Sequence, residues 1–418
     1  MEAVGVERSL EKLREAAKKF VKRVFAEYYS TLAPRFIEEP SRITGREFGF
    51  NLFDRGIVRH ISFKSREELL EYLKVNSPSD CYYSSAFYMN PTAPMDEKGW
   101  IGAELTFDID ADHIPTDCKV EHDRWVCLSC GYEGVGETPE RCLRCGEDKL
   151  EERAWFCEKC LLAAKTETMK LIEILSSEFG LPEDNMAVYF SGRRGFHVHV
   201  SGGVEELDQN SRREIADYLL GVGFDPSIYL DRLSLNLDVS GMKFRIIKAL
   251  YDLISSASPD ELRDLGLRRS SIDTIIEDRN RILDIVLEGG FSRLAKEIGL
   301  TSLRKLTAKA VEYSSVKIDP VVTLDIHRLI RLPGSLHGKT GFIKSKAGSS
   351  LESLESYDPL SEATPFRDSR NYVKLYVRST PRFRIGDEEY GPFKDEEVSL
   401  PLQPAILLLC KGVAYVSG

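Results

Sequence analysis

Hydrophobic residues recur along the chain at two spacings, about every 3.6 residues in some segments and every second residue in others. The helical spacing predicts a helix over residues 5–30 and another over about 160–179, which ends at Gly180. The alternating spacing predicts a strand pair over residues 46–63, with its turn at Asp54-Arg55-Gly56.

Four further segments complete the predicted framework. Residues 100–110 have the pattern of one strand with an acidic end, and residues 186–201 that of a β-hairpin with its turn at Gly192-Arg193-Arg194-Gly195. Residues 206–310 are mostly helical by period, and residues 316–346 return to apolar alternation around a Pro-Gly loop. Because strands and helices do not alternate regularly, we expect an α+β fold.

Composition limits the class of protein. The 418 residues predict about two to three domains, and 42% apolar with 30% charged residues is an ordinary soluble composition. The longest apolar run, near Ala405–Cys410, is far too short to span a bilayer, and the N-terminal segment does not resemble a signal peptide. We therefore expect a cytoplasmic protein with no membrane partner.

Charge is unevenly distributed. The net charge of −10 argues mildly against a nucleic-acid binder. Residues 1–60 carry 12 basic and 9 acidic residues, a net of +3, whereas residues 100–160 carry 7 and 15, a net of −8. Residues 301–346 carry 9 and 3, a net of +6. The pattern suits either an acidic metal site flanked by anion-binding segments or solvated charge without a function.

Seven of the nine cysteines lie between Cys118 and Cys160, and six of them form three C-x2-C pairs. Pairs at this spacing in a chain without secretory signals predict zinc sites. Seven thiolates are one ligand short of two tetrahedral sites, and His122 supplies the eighth, with His113 as a poorer candidate.

Two groupings of these ligands are compatible with the sequence. The favoured nested grouping makes a zinc ribbon of one set and an outer site of the other: Cys127, Cys130, Cys142 and Cys145, and Cys118, His122, Cys157 and Cys160. The sequential alternative joins Cys118, His122, Cys127 and Cys130. Either way, four protein ligands leave no open position, so both sites are expected to be structural.

The segment Phe107-Asp108-Ile109-Asp110 is a candidate metal site. On a strand, Asp108 and Asp110 share a face. Two carboxylates this close repel each other unless a cation lies between them, and Mg²⁺ or Mn²⁺ prefers such ligands. Alone, the pattern is more often a solvent-facing acidic edge.

Two basic segments are candidate phosphate sites. The hairpin turn after Ser191 presents Arg193 and Arg194 between glycines, followed by His197. Guanidinium groups bind phosphate in a bidentate manner, although an exposed basic turn is an equally good interpretation. The second segment begins with Asp319, a possible third carboxylate, and continues through the basic loop from Arg328 to Lys339.

Together these motifs closely resemble those of the small, catalytic subunit of archaeal and eukaryotic DNA primases. The resemblance rests on FDID at Phe107–Asp110, SGRRGFH at Ser191–His197, and the order D…R-L-P-G-S-L-H from Asp319 to His337. It covers about residues 30–205 and 310–345.

The resemblance implies template-directed synthesis of short RNA primers on single-stranded DNA, with DNA primers left open, by two-metal nucleotidyl transfer with Mg²⁺ or Mn²⁺. The implied metal ligands are Asp108, Asp110 and Asp319. The implied contacts to the nucleoside triphosphate are Ser191, Arg193, Arg194, His197, Arg331, His337 and Arg46, the arginine of an R-E-F motif. It also implies a heterodimer with a large regulatory subunit, in an archaeal cell.

The family organisation implies a catalytic core interrupted by two insertions. The core would comprise residues 1–112, 161–205 and 311–345, with a zinc-binding module at 113–160 and a helical insertion at 206–310. Residues 346–418 would complete the core or bind the partner. The family's minimal pattern has one zinc knuckle, so the ribbon at Cys127–Cys145 is a departure from it, and two zinc ions are expected.

Two other functions remain open at this stage. One is a different polymerase of the primase fold, acting in repair or on a plasmid, for which a fused ligase or helicase domain would be the sign. The other is a non-enzymatic zinc-ribbon factor of replication or transcription, which would leave the D-x-D strand and the SGRRGFH hairpin without a purpose.

Overall fold

The computed structural model describes residues 2–224 and 241–417, with side chains from residue 11 onward. Contacts divide the chain into two compact units. The first comprises Met1–Met169, Glu183–Gln209 and Asp319–Gly418, and the second Lys170–Pro182 and Asn210–Ile318. No helix of the described residues is both long enough and apolar enough to cross a membrane.

The strands belong to the first unit. In chain order they are β1 (Phe48–Leu52), β2 (Gly56–Ile61), β3 (Asp80–Ser84), β4 (Ala86–Tyr88), β5 (Trp100–Ala103), β6 (Leu105–Asp110), β7 (Arg124–Cys127), β8 (Glu133–Val135), β9 (Leu150–Arg153), β10 (Met186–Phe190), β11 (Gly195–Val200), β12 (Leu329–Arg331), β13 (Ser345–Gly348), β14 (Tyr372–Ser379), β15 (Phe383–Ile385), β16 (Glu388–Tyr390), β17 (Lys394–Pro401) and β18 (Ala414–Val416).

Helices and short helical turns connect these strands. In the first unit they are Glu2–Thr31, Ala33–Phe36, Ile43–Gly45, Arg66–Asn76, Met95–Glu97, Ala111–His113, Lys119–His122, Glu183–Asn185, Pro320–Leu324, Leu351–Ser356, Pro359–Glu362 and Leu402–Cys410. The helix Glu158–Ser177 begins in the first unit and ends in the second. The helix Arg66–Asn76 shows how the local sequence sets such boundaries, because the Ser65 side chain accepts the Glu68 N–H at its N-terminus.

Two four-stranded antiparallel sheets carry the candidate chemistry. One has the order β12-β3-β1-β2, and the other the order β13-β10-β11-β6. In the second sheet all six residues of β11 are buried, while β6 buries Phe107 and Ile109 and leaves Asp108 and Asp110 partly accessible. The alternation that the sequence predicts for the D-x-D strand is therefore confirmed.

The hairpins predicted from alternation are confirmed, but one strand assignment is wrong. β1 pairs with β2 across a turn at Asp54–Gly56, and β10 pairs with β11. Residues 100–110, expected as one strand, form two: β5 pairs with β4, and β6 joins β11 in a different sheet. The chain leaves one sheet at Glu104, whose buried carboxylate forms an ion pair with Arg46 and lies 3.3 Å from the His199 Nδ1 atom, so apolar alternation alone could not show the break.

Besides the β4-β5 pair, three smaller sheets belong to the first unit: β8-β7-β9, which carries the cysteine-rich segment, β17-β14-β18 near the C-terminus, and the hairpin β15-β16. The core of the cysteine-rich sheet is small and consists of Trp125, Cys127 and Cys142. Gly134 is required there, because a Cβ atom at that position would lie 2.2 Å from the Trp125 ring.

The described part of the second unit is helical. Its helices are Gln209–Leu220, Met242–Ser256, Pro259–Asp264, Arg269–Glu277, Arg279–Leu287, Phe291–Ile298 and Leu300–Ser314. They enclose a separate aliphatic core that includes Leu250, Ile275 and Leu306. The helical character predicted for residues 206–310 holds for the described residues of that range, whereas residues 225–240 lie outside the described chain.

Candidate active site

The pairing of β6 with β11 places the D-x-D motif against the SGRRGFH hairpin. Asp108 lies directly opposite His197, and Asp110 lies opposite Gly195. The His197 Nε2 atom is 3.5 Å from an Asp108 carboxylate oxygen. Glycine is needed at position 195, because a Cβ atom there would lie 2.3 Å from the Ile109 carbonyl oxygen. Register thus brings together two motifs that are more than eighty residues apart.

Three carboxylates cluster at this edge of the sheet. The Asp319 N–H donates to the Asp108 carbonyl oxygen at 2.8 Å, and the Asp319 side chain caps the helix Pro320–Leu324 by accepting the Val321 N–H. Burial raises the pKa of Asp108 to about 7, and the negative charges of Asp110 and Asp319 add to that shift. Burial and the charge of Asp112 also raise the pKa of Asp110. Such a donor set fits a divalent cation, which would relieve the repulsion.

The turn of the hairpin is held by Ser191. Its hydroxyl oxygen accepts the N–H groups of Arg193 and Gly195, each at 3.3 Å. Gly192 has a φ of +87°, and a Cβ atom there would lie 3.1 Å from the His337 side chain. The turn is therefore packed against the His337 loop and presents Arg193 beside the carboxylates.

Two arginines at the site each use part of the guanidinium group to bind a carboxylate of the protein. Arg193 donates to an Asp112 carboxylate oxygen at 2.8 Å and lies 3.6 Å from Asp110. Arg331, on β12, donates to Asp80 at 2.8 Å and to the Leu336 carbonyl at 3.1 Å. These partners fix both guanidinium groups, which is the geometry of a preorganised anion site.

Both predicted histidines are electrically neutral groups in this environment. Burial, followed by the positive charge of Lys344, lowers the pKa of His197 well below its usual value. Burial and Arg331 do the same for His337. The buried His197 Nδ1 atom has no hydrogen-bond partner among the described residues, so the ring retains a polar atom available to a ligand.

A cavity of about 200 Å³ gathers most of these groups. Its lining residues are Tyr82, Asp108, Asp110, Ser191, Arg193, His197, Val322, Arg328, Leu329, Ile330, Arg331 and His337. Sequence reasoning did not assign Tyr82 or Arg328. Tyr82 lies next to buried β3 residues and carries no motif, but its ring lies under the Arg331 guanidinium at 5.2 Å. Arg328, by contrast, was visible in the basic loop, and its charge lowers the pKa of Asp108.

The structure does not support Arg46 as a nucleotide contact. Its side chain is fully buried and pairs with Glu104. Its Nε atom donates to the Ser41 carbonyl at 2.9 Å, and its Nη1 atom donates to the carbonyls of Ser84 and Ser85. Because every nitrogen of the guanidinium is bonded within the protein, Arg46 joins strands of the core and does not reach the cavity.

Arg194 is likewise turned away from the cavity. It is 1% exposed, donates to both carboxylate oxygens of Asp123 at 3.0 and 3.1 Å, and donates to the Trp155 carbonyl at 2.6 Å. It also forms an ion pair with Asp112. The side chains of neighbouring residues at a tight turn diverge. Arg193 therefore lines the cavity, whereas Arg194 binds Asp123 and does not line it.

The eight predicted thiolate and imidazole ligands form two groups, and these are the sets of the nested grouping. The outer group contains Cys118, His122, Cys157 and Cys160, whose ligand atoms all lie within 4.8 Å of one another. The Cys118 and Cys160 sulfurs are 3.4 Å apart, and the His122 Nε2 atom is 3.3 Å from the Cys160 sulfur. The sequential alternative is therefore wrong, and His113 is exposed and belongs to neither group.

The ribbon group contains Cys127, Cys130, Cys142 and Cys145. Its sulfurs are 3.5 Å apart between Cys127 and Cys145, and 3.7 Å apart between Cys130 and Cys142. A tetrahedral zinc ion with bonds of about 2.3 Å requires sulfurs about 3.8 Å apart. Both groups can hold a metal ion of that size without an open position for substrate.

Comparisons with known proteins agree with this geometry. A family model described as the DNA primase small subunit matches residues 145–346. Several archaeal proteins named DNA primase small subunit PriS align over nearly the whole chain. One from Nitrosopumilus maritimus is 31% identical and covers 97% of this chain and all of its own length. One from Archaeoglobus fulgidus is 34% identical and covers 95% of this chain and 98% of its own length.

Proposed function

This chain belongs to the family of DNA primase small subunits, and we propose that it joins nucleotides by a two-metal reaction in the cavity beside β6 and β11. It is a DNA primase catalytic subunit and therefore a DNA-directed nucleotidyltransferase of replication.

The observation that carries the mechanism is the register of β6 against β11. It sets Asp108 opposite His197, and a separate backbone bond, from the Asp319 N–H to the Asp108 carbonyl at 2.8 Å, adds the third carboxylate residue. Asp108, Asp110 and Asp319 would hold the divalent ions, Mg²⁺ or Mn²⁺, because carboxylate oxygens are their preferred protein ligands. When bound, such ions favour ionisation of the attacking 3′-hydroxyl and neutralise charge on the α-phosphate.

The remaining cavity residues would hold the triphosphate. Arg193 and Arg331 are fixed by Asp112 and Asp80 and can offer their remaining N–H groups to phosphate oxygens. Ser191 accepts two backbone N–H groups and can still donate its own proton. With His197 and His337 neutral, the imidazoles act by hydrogen bonding, so this side of the site works through positioning.

The two cysteine-rich groups would each hold one structural zinc ion. Their ligand types and closed geometry suit zinc, and four protein ligands exclude substrate. Their place in the first unit, on the β8-β7-β9 sheet and at the start of the helix Glu158–Ser177, suits a scaffold for the neighbouring hairpin.

The substrates and partners follow from the family. The relatives are named as small subunits, which supports a large regulatory subunit as the partner of this chain in a heterodimer. Single-stranded DNA would be the template and nucleoside triphosphates the second substrate. The net charge of −10 suits a subunit whose partner contributes to template binding. A zinc-ribbon factor without activity would have no use for the cluster of carboxylates and arginines.

The proposal is tested by primer synthesis on a single-stranded template, with Mg²⁺ or Mn²⁺, with ribo- or deoxynucleotides, and with or without the large subunit. The Asp108→Ala variant is expected to lose synthesis while keeping its thermal unfolding temperature. Asp387→Ala, at a carboxylate that is 91% exposed, is the matched control and should retain full synthesis. Full activity of Asp108→Ala would refute the assignment.

A further inference from the structure

A buried carboxylate connects the outer cysteine-rich group to the active-site hairpin. Asp123 follows the ligand His122 and is 4% exposed. Its Oδ1 atom lies 2.9 Å from the His122 Nδ1 atom and accepts the Trp155 N–H at 2.8 Å. Because the other ring nitrogen of His122 faces the cysteine sulfurs, Nδ1 is the nitrogen that carries the proton when a metal is bound.

The opposite side of the same carboxylate holds Arg194. Both oxygens of Asp123 accept from the Arg194 Nη1 atom, at 3.0 and 3.1 Å. The far side of the guanidinium forms an ion pair with Asp112. Burial of Arg194 makes these contacts strong, because little water competes for them.

Asp112 links Arg194 to residues that line the cavity. It accepts from Arg193 at 2.8 Å, and its backbone N–H donates to an Asp110 carboxylate oxygen at 3.0 Å. The Arg194 Nε atom is 3.9 Å from the same Asp110 oxygen and has no hydrogen-bond partner among the described residues. Arg194 therefore has an alternative carboxylate within reach, one that would also be a metal ligand.

We infer that Asp123 is a positioning residue, which holds Arg194 at 3.9 Å from Asp110, short of a hydrogen bond, and thereby leaves that carboxylate free to bind the catalytic metal. The inference rests on the proposed two-metal function. The outer zinc group acts through Asp123, since the His122 imidazole fixes the carboxylate that holds Arg194. Loss of the Asp123 charge lets the guanidinium pair with Asp110 and compete with the metal.

The test uses the full-length, zinc-loaded chain and measures Mn²⁺ binding by electron paramagnetic resonance without nucleotide. In Asp123→Asn, zinc content should stay at the wild-type value while Mn²⁺ affinity falls about tenfold, because the Arg194 guanidinium then competes with the ion for the Asp110 carboxylate. Asp117→Asn is the matched control, since Asp117 is an exposed carboxylate of the same module, and its Mn²⁺ affinity should match wild type.

A second variant separates this coupling from zinc binding. His122→Cys keeps four ligands but removes the Nδ1 donor to Asp123, so its Mn²⁺ affinity should fall in the same direction with zinc retained. Wild-type Mn²⁺ affinity in His122→Cys, or in an Asp123→Asn variant that keeps its zinc, would overturn the inference, even if thermal stability falls. If Asp123→Asn loses zinc, the His122→Cys result decides.

The experiment distinguishes failure of the proposed function from failure of this inference. Wild-type protein should bind Mn²⁺ at a site that Asp108→Asn abolishes. If wild type does not bind Mn²⁺ there, the two-metal proposal is refuted and the role of Asp123 falls with it. If wild type binds and both test variants bind equally well, only the role of Asp123 is refuted.

Discussion

The carboxylate cluster and the outer cysteine-rich group both gather anionic ligands in one unit, but they differ in openness. The outer group brings four protein ligands within 4.8 Å of one another. Asp108 and Asp110 instead leave 26% and 23% of their side chains exposed on a cavity wall that also carries arginines. A closed ligand set holds an ion for structure, whereas an open one leaves room for substrate oxygens.

The difference also appears in the electrostatics. Burial, together with the negative charges of Asp110 and Asp319, raises the pKa of Asp108 to about 7. Beside the outer group, by contrast, burial alone would raise the pKa of Asp123, but the hydrogen bond with His122 lowers it to about 2, and the charge of Arg194 adds to that lowering. Protein groups do not fully offset the negative charge of the open site, whereas they do offset that of the carboxylate beside the closed site.

The largest expected effect is a loss of activity without a loss of stability, at Asp108. Asp108→Asn should reduce primer synthesis by about 10²- to 10³-fold, as loss of a preorganised electrostatic group does, and should not lower the unfolding temperature of the zinc-loaded protein measured without Mg²⁺ or Mn²⁺. Asparagine removes the repulsion with Asp110 while conserving volume. If the variant instead unfolds at a much lower temperature, and its activity falls only as far as its folded fraction, Asp108 is a structural residue.

The converse experiment removes a ligand from the closed group. Cys160→Ala should release one of two zinc ions and lower the free energy of unfolding by several kcal/mol, because structural zinc sites contribute about 10 kcal/mol or more of binding free energy. Cys160 is fully buried, so bulk water does not reach its position to serve as a replacement ligand. Metal analysis and thermal unfolding check this, and an unchanged zinc content would contradict the ligand assignment.

Arg193→Ala tests the phosphate side of the open site. The KM for nucleoside triphosphate should rise by on the order of tenfold or more, since a charge-assisted hydrogen bond is worth about 1.5–3 kcal/mol. Zinc content should not change, because Arg193 does not contact either cysteine-rich group in the described structure. An unaltered KM would exclude the predicted contact.

The pH dependence of metal binding should differ from that of a cluster of ordinary carboxylates. Asp108 is charged above its pKa of about 7 and protonated below it, so a bound metal must displace a proton at lower pH. Mn²⁺ affinity should therefore fall about tenfold between pH 8 and pH 6. An affinity that stays constant over this range would show that Asp108 is ionised throughout.

The smallest effect is expected at the ribbon. Cys145 is exposed, and the other cysteines of its group form a small core with Trp125 and Leu150. Cys145→Ser should lower the zinc content but change kcat/KM by less than about twofold, because no hydrogen bond among those described links this group to Arg194. A large loss of activity would place the ribbon in the catalytic machinery.

Local patterns predicted the hairpins, the D-x-D strand and the cysteine pairs, because each depends on side-chain spacing within one short segment. The break at Glu104 between β5 and β6 could not be predicted, since the Arg46 that pairs with its carboxylate lies 58 residues earlier in the chain. Alternation continues through Glu104 unchanged, so only tertiary pairing reveals the change of sheet.

The same limit explains Arg194, for which the sequence wrongly predicted a contact to the nucleotide. Arg193 and Arg194 are adjacent and chemically identical, so composition cannot tell which one faces the cavity. The partner that decides is Asp123, in a different segment, which captures Arg194. Tyr82 was missed for a similar reason, because it lines the cavity only once β3 and β12 pair.

The most direct test of the central claim uses nucleoside triphosphates that carry sulfur in place of an α-phosphate oxygen, with primer synthesis compared in Mg²⁺ and Mn²⁺. If ions held by Asp108 and Asp110 contact that oxygen, sulfur should slow synthesis strongly in Mg²⁺, and Mn²⁺ should restore much of the rate, because it accepts sulfur more readily. Equal slowing in both metals would contradict a metal contact to the reacting phosphate.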